Sequence, residues 1–402
     1  MHILFYAPLK PLNHPHPSGD LVTATGLTDF LSCRGHVVSE ASRLRARWIY
    51  TRPWLWPGLI CDIQRIIRRA PQQKPDIFLT YHTYYKSPDL IGPTITQKLN
   101  IPYVIFQGIY STKKRRNLKT WPGFVLNRYA LSTADHVFSN RSVDMINLKR
   151  LIPESRLSYI RPGIHPDHFQ FDPEARSELR QKWKIGDIPV LVSAAMFRPG
   201  VKADGLEWVI RCSARLHQDG LRHQLVIVGD GLERNRLQCL AGELIPNPVI
   251  FAGQTDRKHM YRWYSAGDVF VFPGIRETLG MVYLEAQSCG LPVVAFDNGG
   301  IPEVVQHEKT GFLTEAFDIP AFDRAVKTLL TNSKLRMNMS YEAIKYIQLY
   351  HDINRNYLHF EDKLINIKKT DNMQSKVEKA DNADYGNILQ STVMHFFRNS
   401  YE

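Results

Sequence analysis

The chain has 402 residues, of which 44% are hydrophobic and 22% charged, which is typical of a globular protein large enough for two domains. No apolar run is long enough to cross a lipid bilayer, and the opening residues, MHILFYAPLKP, lack the basic leader of a signal peptide. The net charge of +12 arises in residues 1–170, which hold 23 Lys and Arg against 10 Asp and Glu, so this half is expected to face an anionic partner or to stay strongly solvated.

The five cysteines are odd in number and widely separated along the chain. None of them forms a CxxC or Cys/His motif, so neither a disulfide framework nor a zinc site is indicated. Free thiols in a reducing compartment are expected, and we predict a cytoplasmic protein.

Short strand-like runs, several of them continuously apolar, alternate with helical stretches, which is typical of parallel sheets covered by helices on both faces. Each half of the chain has the size of one such domain. We therefore predict an α/β fold of two Rossmann-like doubly wound parallel-sheet domains facing each other across a cleft. The predicted strands of the first half cover residues 2–8, 36–40, 76–81, 103–107 and 136–140. Those of the second half cover residues 189–195, 223–229, 248–253, 268–273 and 292–296.

The two domains are expected to join within residues 161–178, where three prolines and a glycine interrupt the pattern. We predict an N-terminal domain over residues 1–170 and a C-terminal domain over residues 171–350. A terminal helix is expected at residues 351–369, and residues 370–402 form a polar stretch expected to be a mobile tail.

Two glutamates, Glu277 and Glu285, stand in the segment FPGIRETLGMVYLEAQSCGLPVVAFDNGGIPEVV, residues 272–305. A predicted strand ends there in a loop, and a helix is expected to begin near Gly280. The unpaired N–H groups and the dipole of a helix start favour an anion such as phosphate, and Gly280 lets the backbone approach it closely. Acids on either side of a diphosphate could each hold sugar hydroxyl groups. That layout fits a nucleotide sugar.

Each glutamate also has a purely structural explanation. An acid in a first helical turn is stabilised by the dipole, which would account for Glu277, and Glu285 could lie on a solvated helix face. For either residue alone the structural explanation is favoured. The presence of both between glycine-rich turns favours a binding site, and Gly299-Gly300 is expected to open a helix as a second anion-binding turn.

The run P-G-x-x-E-T-x-G-x-x-x-x-E-A-x-x-x-G-x-P-V-V-A-x-x-x-G-G-x-P-E-V-V, which starts at Pro273, resembles the signature of glycosyltransferase family 4. The stretch HEKTGFL, residues 307–313, resembles the usual close of that segment, and weaker similarity continues over most of the chain to about residue 350. The resemblance implies a retaining transferase with the GT-B architecture of two Rossmann-like domains.

The resemblance also implies roles for individual residues of the second domain. Glu277 would bind hydroxyl groups of the donor sugar, and Glu285 would bind the ribose. The backbone of Thr278, Leu279 and Gly280 would hold the diphosphate.

Two cations in AAMFRPGVKADG, Arg198 and Lys202, correspond to the residues that neutralise the leaving diphosphate in the family. This stretch is one residue shorter than the commonest family form. The alternative is that both are solvated loop cations. We count Arg198 and Lys202 with Glu277 as the predicted catalytic residues.

In the first domain, Gly19 corresponds to the family's glycine loop, where it would lie against the diphosphate or the reacting centre, although a plain turn would also account for it. Many relatives have a histidine that faces the donor at the end of the strand IPYVIFQG. This chain has Gln107 there, which cannot exchange a proton near neutral pH. His82 ends the preceding strand and is a second candidate to reach the cleft.

The G-D-G turn at residues 229–231 follows a strand, but Arg234 stands where a dinucleotide motif has its third glycine. In the family this turn lies near the nucleotide base. There is no D-x-D near the expected cleft in the second domain, so side-chain cations would replace a divalent metal. No metal and no other cofactor are expected.

Two clusters of cations beside tryptophans carry much of the positive charge of the first half. Such clusters fit the headgroup region of an anionic membrane, and a polyanionic acceptor glycan would also be consistent with them. A merely solvated basic surface is the alternative. The first cluster consists of Arg43, Arg45, Arg47 and Trp48, and the second of Lys113, Lys114, Arg115, Arg116, Lys119 and Trp121.

We therefore predict a retaining glycosyltransferase that moves a hexose-type sugar from a nucleotide diphosphate to a glycan or lipid-linked acceptor, in polysaccharide or glycolipid biosynthesis, at the cytoplasmic face of a membrane. The alternative is a non-catalytic protein that binds nucleotide sugars, which Gln107 would favour. Nucleic-acid binding is not predicted, because no known module pattern accompanies the basic residues.

Overall fold

The computed structural model describes residues 1–14 and 19–374. These residues form two compact units, each built around one parallel sheet. Of the described residues, the first unit contains those within Met1–Ser139, Asp144–Ser158 and His359–Gln374, and the second contains Asn140–Val143 and Tyr159–Leu358. Within the described residues, no helix combines the length and the apolar character that crossing a membrane requires.

The first sheet has six strands in the order β2-β1-β3-β4-β5-β6. The central strand β3 is buried along its whole length, which explains the apolar run IFL with which it begins. The order of strands reverses between β1 and β3, because β2 lies on one side of β1 and all later strands lie on the other. The strands are β1 (His2–Tyr6), β2 (Val37–Ser42), β3 (Ile77–Thr83), β4 (Tyr103–Gly108), β5 (His136–Ser139) and β6 (Leu157–Tyr159).

Helices connect these strands, as parallel pairing requires. Three of the five have a proline at the first or second position of the helix, where the missing N–H costs no hydrogen bond. The helices are α1 (Gly19–Cys33), α2 (Trp56–Gln73), α3 (Gly92–Leu99), α4 (Trp121–Thr133) and α5 (Ser142–Leu148).

The second sheet also has six strands, in the order β12-β11-β10-β7-β8-β9. The strands that follow β7 in the chain are added first on one side of it (β8 and β9) and then on the other (β10, β11 and β12). The order of strands therefore reverses between β7 and β10, which are neighbours at the centre of the sheet. In open parallel sheets a ligand binds at the carboxyl ends of the two strands that flank such a reversal. The strands are β7 (Val190–Ala194), β8 (Gln224–Val228), β9 (Ile250–Gly253), β10 (Val269–Val271), β11 (Val293–Phe296) and β12 (Gly311–Thr314).

Two helices of the second unit begin at aspartate caps. The side chain of Asp172 accepts from the amides of Glu174 and Ala175, and that of Asp318 accepts from the amide of Ala321. The helices are α6 (Pro173–Trp183), α7 (Val201–Gln218), α8 (Arg234–Leu244), α9 (Met260–Ala266), α10 (Met281–Ser288), α11 (Ile319–Thr331) and α12 (Ser333–Tyr350).

The last described helix, α13 (Ile353–Gln374), belongs to the first unit from His359 onward. The Phe360 ring packs edge-on against Phe106 and Phe138, with ring centroids 5.2 and 4.7 Å apart. Glu361 accepts from Arg34 and also pairs with His36, at 2.9 and 2.8 Å. The C-terminal helix therefore supplies part of the core and of the ion pairs of the first unit.

All ten predicted strands are present, and the two-sheet α/β fold is confirmed. The structure adds two edge strands, β6 and β12, that were not predicted. It also moves the domain boundary from residue 170 to about residue 158, because Ile164 and Phe169 lie in the core of the second unit. The predicted terminal helix at 351–369 corresponds to α13, which continues to Gln374, and the rest of the predicted tail, 375–402, lies outside the described residues.

Candidate active site

The predicted catalytic residues follow two adjacent strands. Arg198 lies in the loop after β7, Lys202 lies in the first turn of α7, and Glu277 lies in the loop after β10. These strands pair in parallel, with Val269 opposite Leu191, so their carboxyl ends lie side by side at the reversal point of the second sheet. The fold therefore brings Lys202 to an acid that lies 75 residues further along the chain.

Lys202 and Glu277 form an ion pair through Nζ and Oε2. Both side chains are partly exposed, at 31% and 16%, so a ligand can reach them. The Lys202 ammonium also lies 5.4 Å from the centroid of the Phe272 ring. Arg198 is exposed and makes no ion pair within the part of the chain that the structure describes.

The backbone of the predicted diphosphate segment turns sharply into helix α10. Gly280 is the residue before the helix and has a φ of 69°, in the left-handed region that favours glycine. Among the described residues, the amides of Leu279 and Gly280 donate to no acceptor, and the amide of Thr278 meets only the carboxylate of Glu277, at 3.3 Å. Together with the start of α10, this backbone can receive an anion.

Glu285 lies inside α10 and is only 5% exposed. Arg257 donates to it from Nε at 2.7 Å, and the hydroxyl of Tyr264 donates at 3.3 Å. Burial raises the pKa of the Glu285 carboxyl, and Arg257 and Tyr264 partly offset that rise. The explanation of Glu285 as a residue on a solvated face is therefore wrong.

Gly299 and Gly300 pack against the backbone of the segment that precedes α10. A Cβ atom on Gly299 would lie 2.1 Å from the carbonyl oxygen of Glu277, and one on Gly300 would lie 1.9 Å from that of Thr278. The amide of Gly300 also donates to the carbonyl of Glu277 at 3.3 Å. The expected second helix is only a three-residue 3-10 turn, Ile301–Glu303, so this glycine pair supports the loop rather than opening a full helix.

The G-D-G turn has a similar close packing role. A Cβ on Gly229 would lie 1.9 Å from the carbonyl oxygen of Ala195, and one on Gly231 would lie 2.6 Å from that of Phe197. The carbonyl of Asp230 accepts from the amide of Phe197 at 2.9 Å. The turn after β8 therefore holds the loop that carries Arg198.

In the first unit, the predicted residues lie where β1, β3 and β4 end. Gly19 is the first residue of α1, and a Cβ there would meet nothing within 4 Å. His82 and Gln107 are both buried and both have left-handed backbone, with φ of 59° and 65°. Nδ1 of His82 lies 2.9 Å from Oδ1 of Asp20.

Arg257 is the residue that the sequence analysis missed. It lies in TDRKHMYRWY, which carries no motif, and its partner Glu285 is 28 residues further along the chain. Only the placement of the 3-10 turn Arg257–His259 against α10 shows that this arginine meets the buried acid. Its positive charge was the one signal available in the sequence.

The two basic clusters of the first unit meet around Tyr85. Lys114 lies 5.0 Å and Lys86 5.6 Å from the Tyr85 ring centroid, and Lys86 is also 5.7 Å from the ring of Trp48. Trp121 is 50% exposed. The clusters therefore form one surface, which we call the basic aromatic surface, defined by Trp48, Tyr85, Lys86, Lys114 and Trp121.

Comparison with known proteins agrees with this geometry. A model of the family described as "Glycosyl transferases group 1" matches residues 176–346. The chain is 34% identical over 190 residues to a GDP-mannose-dependent alpha-(1-6)-phosphatidylinositol monomannoside mannosyltransferase of Mycolicibacterium smegmatis, covering 45% of this chain and 49% of the relative. The chain thus spans about half the length of that relative. It is 25% identical over 311 residues to a D-inositol 3-phosphate glycosyltransferase of Thermobispora bispora, covering 72% of this chain and 71% of the relative.

The solved structure of sucrose-phosphate synthase from Thermosynechococcus elongatus superposes with a TM-score of 0.71 at 20% identity. The superposition covers 92% of this chain and 99% of that one. At this identity the likeness concerns the fold, which is the GT-B fold predicted from the sequence.

Proposed function

We propose that the chain, whose residues 176–346 match the family model of glycosyl transferases group 1, is a retaining glycosyltransferase that uses a nucleotide-diphosphate sugar. The observation that carries the proposal is the ion pair of Lys202 with Glu277 where β7 and β10 end, with the exposed Arg198 in the loop that precedes Lys202. Such a position at the reversal of a parallel sheet is where ligands bind in this class of fold.

Each part of a nucleotide sugar has a matching group in the second unit. The two phosphates would meet the backbone of Thr278–Gly280, the start of α10 and the two cations. Glu277 would accept from hydroxyl groups of the sugar, and Glu285 would accept from the ribose diol, since a carboxylate has two acceptor oxygens. Both acids are held by cations, Lys202 and Arg257, which would fix their positions before the donor binds.

The reaction breaks the bond between the anomeric carbon and the diphosphate oxygen and forms a bond from that carbon to an acceptor oxygen. The acceptor hydroxyl passes its proton to the departing phosphate on the same face of the sugar, which gives retention without a separate base. Negative charge grows on the phosphate as the bond breaks, and Arg198 and Lys202 would stabilise it electrostatically. In this proposal side-chain cations do the work that a divalent metal would otherwise do.

The relatives suggest where to start with substrates. One is named for GDP-mannose and for a phosphatidylinositol mannoside, and another for inositol 3-phosphate. We therefore test GDP-mannose first as donor, with UDP-glucose beside it, and a glycan or lipid-linked polyol as the class of acceptor.

The acceptor class bears on the basic aromatic surface of the first unit. Lys86 and Lys114 lie over aromatic rings there, and Trp121 is half exposed, a combination that fits the headgroup region of an anionic membrane. We propose that this surface docks the protein peripherally on such a membrane, at its cytoplasmic face.

The direct test measures two quantities on the purified chain. Thermal unfolding with GDP, UDP or no nucleotide reports binding, and release of free sugar from GDP-mannose and UDP-glucose reports cleavage of the donor. We expect a rise in the unfolding temperature with one nucleotide and slow hydrolysis of the matching donor. Stabilisation without turnover would favour the non-catalytic alternative. The absence of both stabilisation and donor hydrolysis would refute the proposal.

A further inference from the structure

The carboxylate of Glu277 contacts two of the groups that are proposed to hold the diphosphate of the donor. Its Oε2 accepts from Nζ of Lys202, and its Oε1 accepts from the amide of Thr278 at 3.3 Å. Lys202 is one of the two cations proposed to neutralise the diphosphate, and Thr278 begins the backbone segment proposed to receive it. The acid that would bind the sugar therefore occupies part of the site for the phosphates.

The two contacts of Glu277 differ in whether a phosphate can share them. A backbone amide has one hydrogen, so the amide of Thr278 donates either to the carboxylate or to a phosphate oxygen. The ammonium of Lys202 has three hydrogens and can bond to several acceptors, but a carboxylate and a phosphate beside the same ammonium repel each other. A diphosphate that binds here must therefore compete with Glu277.

The backbone of Glu277 is held in place, whereas its side chain reaches the surface. Its amide donates to the carbonyl of Gly274 at 3.0 Å, and its carbonyl accepts from the amide of Gly300 at 3.3 Å. Gly299 packs so closely on that carbonyl that a Cβ would lie 2.1 Å from its oxygen. The side chain is 16% exposed. The carboxylate can therefore leave Lys202 by rotation about its own side-chain bonds, without movement of the loop.

A displaced carboxylate finds new partners only when a sugar is present. An ionised carboxylate accepts hydrogen bonds and donates none, so it needs donors wherever it lies. The hydroxyl groups of the sugar in an intact donor supply them. A nucleoside diphosphate has no sugar at that position, so Glu277 would be left without donors beside a group of like charge. The contacts of Glu277 thus favour the intact donor over the nucleotide product.

We propose that Glu277 is an internal competitor of the diphosphate that weakens binding of the nucleotide product. When the intact donor binds, the carboxylate exchanges Lys202 and the amide of Thr278 for hydroxyl groups of the sugar. After the sugar has been transferred, the carboxylate returns to Lys202 and Thr278 and promotes release of the nucleoside diphosphate. This inference rests on the proposed function, because it concerns how the donor and its product occupy the same site.

The test measures dissociation constants by isothermal titration calorimetry. The nucleotide is whichever of GDP and UDP stabilises the wild type, and the intact donor is the matching GDP-mannose or UDP-glucose. The test variant is Glu277→Gln, which keeps the size of the side chain and removes its charge. Glu285→Gln is the matched control, because this second acid contacts Arg257 and Tyr264 instead of the diphosphate segment. Glu308→Gln changes an exposed acid outside the site.

We expect Glu277→Gln to bind the nucleoside diphosphate about tenfold more tightly than the wild type, because Lys202 and the amide of Thr278 lose their charged competitor. Its affinity for the intact donor should stay within about threefold, since weaker hydrogen bonds from the sugar to a neutral amide offset that gain. Glu285→Gln should weaken binding of both ligands, because the ribose loses a charged acceptor. Glu308→Gln should change neither.

A double-mutant cycle with Lys202→Met separates competition for the ammonium from repulsion at a distance. Lys202→Met should weaken binding of the nucleoside diphosphate, because it removes a cation from the phosphates. In that background Glu277→Gln should improve this binding by less than about threefold, since the two residues no longer form an ion pair. The same tenfold gain in both backgrounds would indicate repulsion at a distance and overturn the inference.

Unchanged or weaker binding of the nucleoside diphosphate in Glu277→Gln would also overturn the inference, because Glu277 would then only orient Lys202. That result would leave the proposed function standing, since the wild type would still bind its nucleotide. A wild type that binds neither GDP nor UDP would refute the proposed function, and the inference with it.

Discussion

Arg257 and Glu285 form an ion pair in which Nε lies 2.7 Å from Oε1, although 28 residues separate them in sequence. The acid is buried and the arginine is 43% exposed, so one end of the pair faces solvent. A ribose that binds to Glu285 would share the carboxylate with Arg257. The pair therefore both compensates a buried charge and holds a predicted ligand contact in place.

The first prediction concerns this buried charge. Arg257→Ala removes the main partner of Glu285, and we expect the free energy of unfolding at pH 7 to fall by about 1–3 kcal/mol. Denaturant unfolding measures it. The control is Arg262→Ala, which breaks an exposed pair with Glu178 and should cost less than about 1 kcal/mol. Equal losses in the two variants would contradict the prediction.

The second prediction separates the two glutamates. Glu277→Ala should lower transfer by about 10²–10³-fold, because it removes a contact to the reacting sugar and the partner of Lys202. Glu285→Ala should instead act mainly on donor affinity, by about tenfold or more, seen as a higher KM and weaker stabilisation by nucleotide. Glu308→Ala, an exposed acid outside the site, is the control. Near-normal kinetics in both variants would refute the assignment.

The third prediction tests the support beneath the diphosphate segment. Gly300→Ala places a Cβ atom only 1.9 Å from the carbonyl oxygen of Thr278, so the loop must move. We expect nucleotide binding to weaken by about tenfold or more, together with a loss of stability of about 1–3 kcal/mol. Gly242→Ala, in helix α8 with nothing within 4 Å of the new methyl group, should bind nucleotide normally and gain about 0.5–1 kcal/mol.

The fourth prediction is a pH dependence. Burial, with a smaller effect of the His217 charge, lowers the pKa of His223 from 6.5 to about 4, against the opposing hydrogen bond to the Leu221 carbonyl. The unfolded chain therefore binds this proton more readily than the folded one, and stability is lost as the pH falls from 6.5 towards 4. The contribution of His223 is on the order of 3 kcal/mol.

Denaturant unfolding between pH 4 and pH 7 measures this slope. His223→Gln should have a shallower slope than the wild type over that range, whereas His259→Gln, an exposed histidine in the same unit, should leave it unchanged. An unaltered slope in His223→Gln would show that the histidine is not held neutral by burial. The pKa values of His136 and His351 are also lowered to about 4. These two histidines therefore contribute part of the pH dependence of the free energy of unfolding in every variant.

The fifth prediction concerns the basic aromatic surface. Lys86→Glu combined with Lys114→Glu should weaken co-sedimentation with vesicles that contain anionic phospholipid by at least about tenfold, since each basic residue near such a surface contributes about 1 kcal/mol. The control is Lys182→Glu combined with Lys334→Glu, two exposed lysines of the second unit. Binding of the wild type that does not depend on anionic lipid would refute membrane docking by this surface.

The sequence determined the fold class and the residues of the donor segment. Ten strands were predictable because a strand covered on both faces needs a continuous apolar run, and that requirement is local. The predicted start of helix α10 near Gly280 is confirmed, and the left-handed backbone of the residue before this helix favours glycine there. The edge strands β6 and β12 were missed because their short sequences, LSY and GFLT, do not form a continuous apolar run.

Only the tertiary structure decided which residues meet. It pairs Lys202 with Glu277 and Arg257 with Glu285, it sets His82 beside Asp20, and it gives Gly299 and Gly300 a packing role. None of these relationships has a local signature, because parallel strands that are neighbours in the sheet are connected through long crossovers. The order of strands in the sheet, rather than the spacing of residues in the chain, sets the distances between their ends.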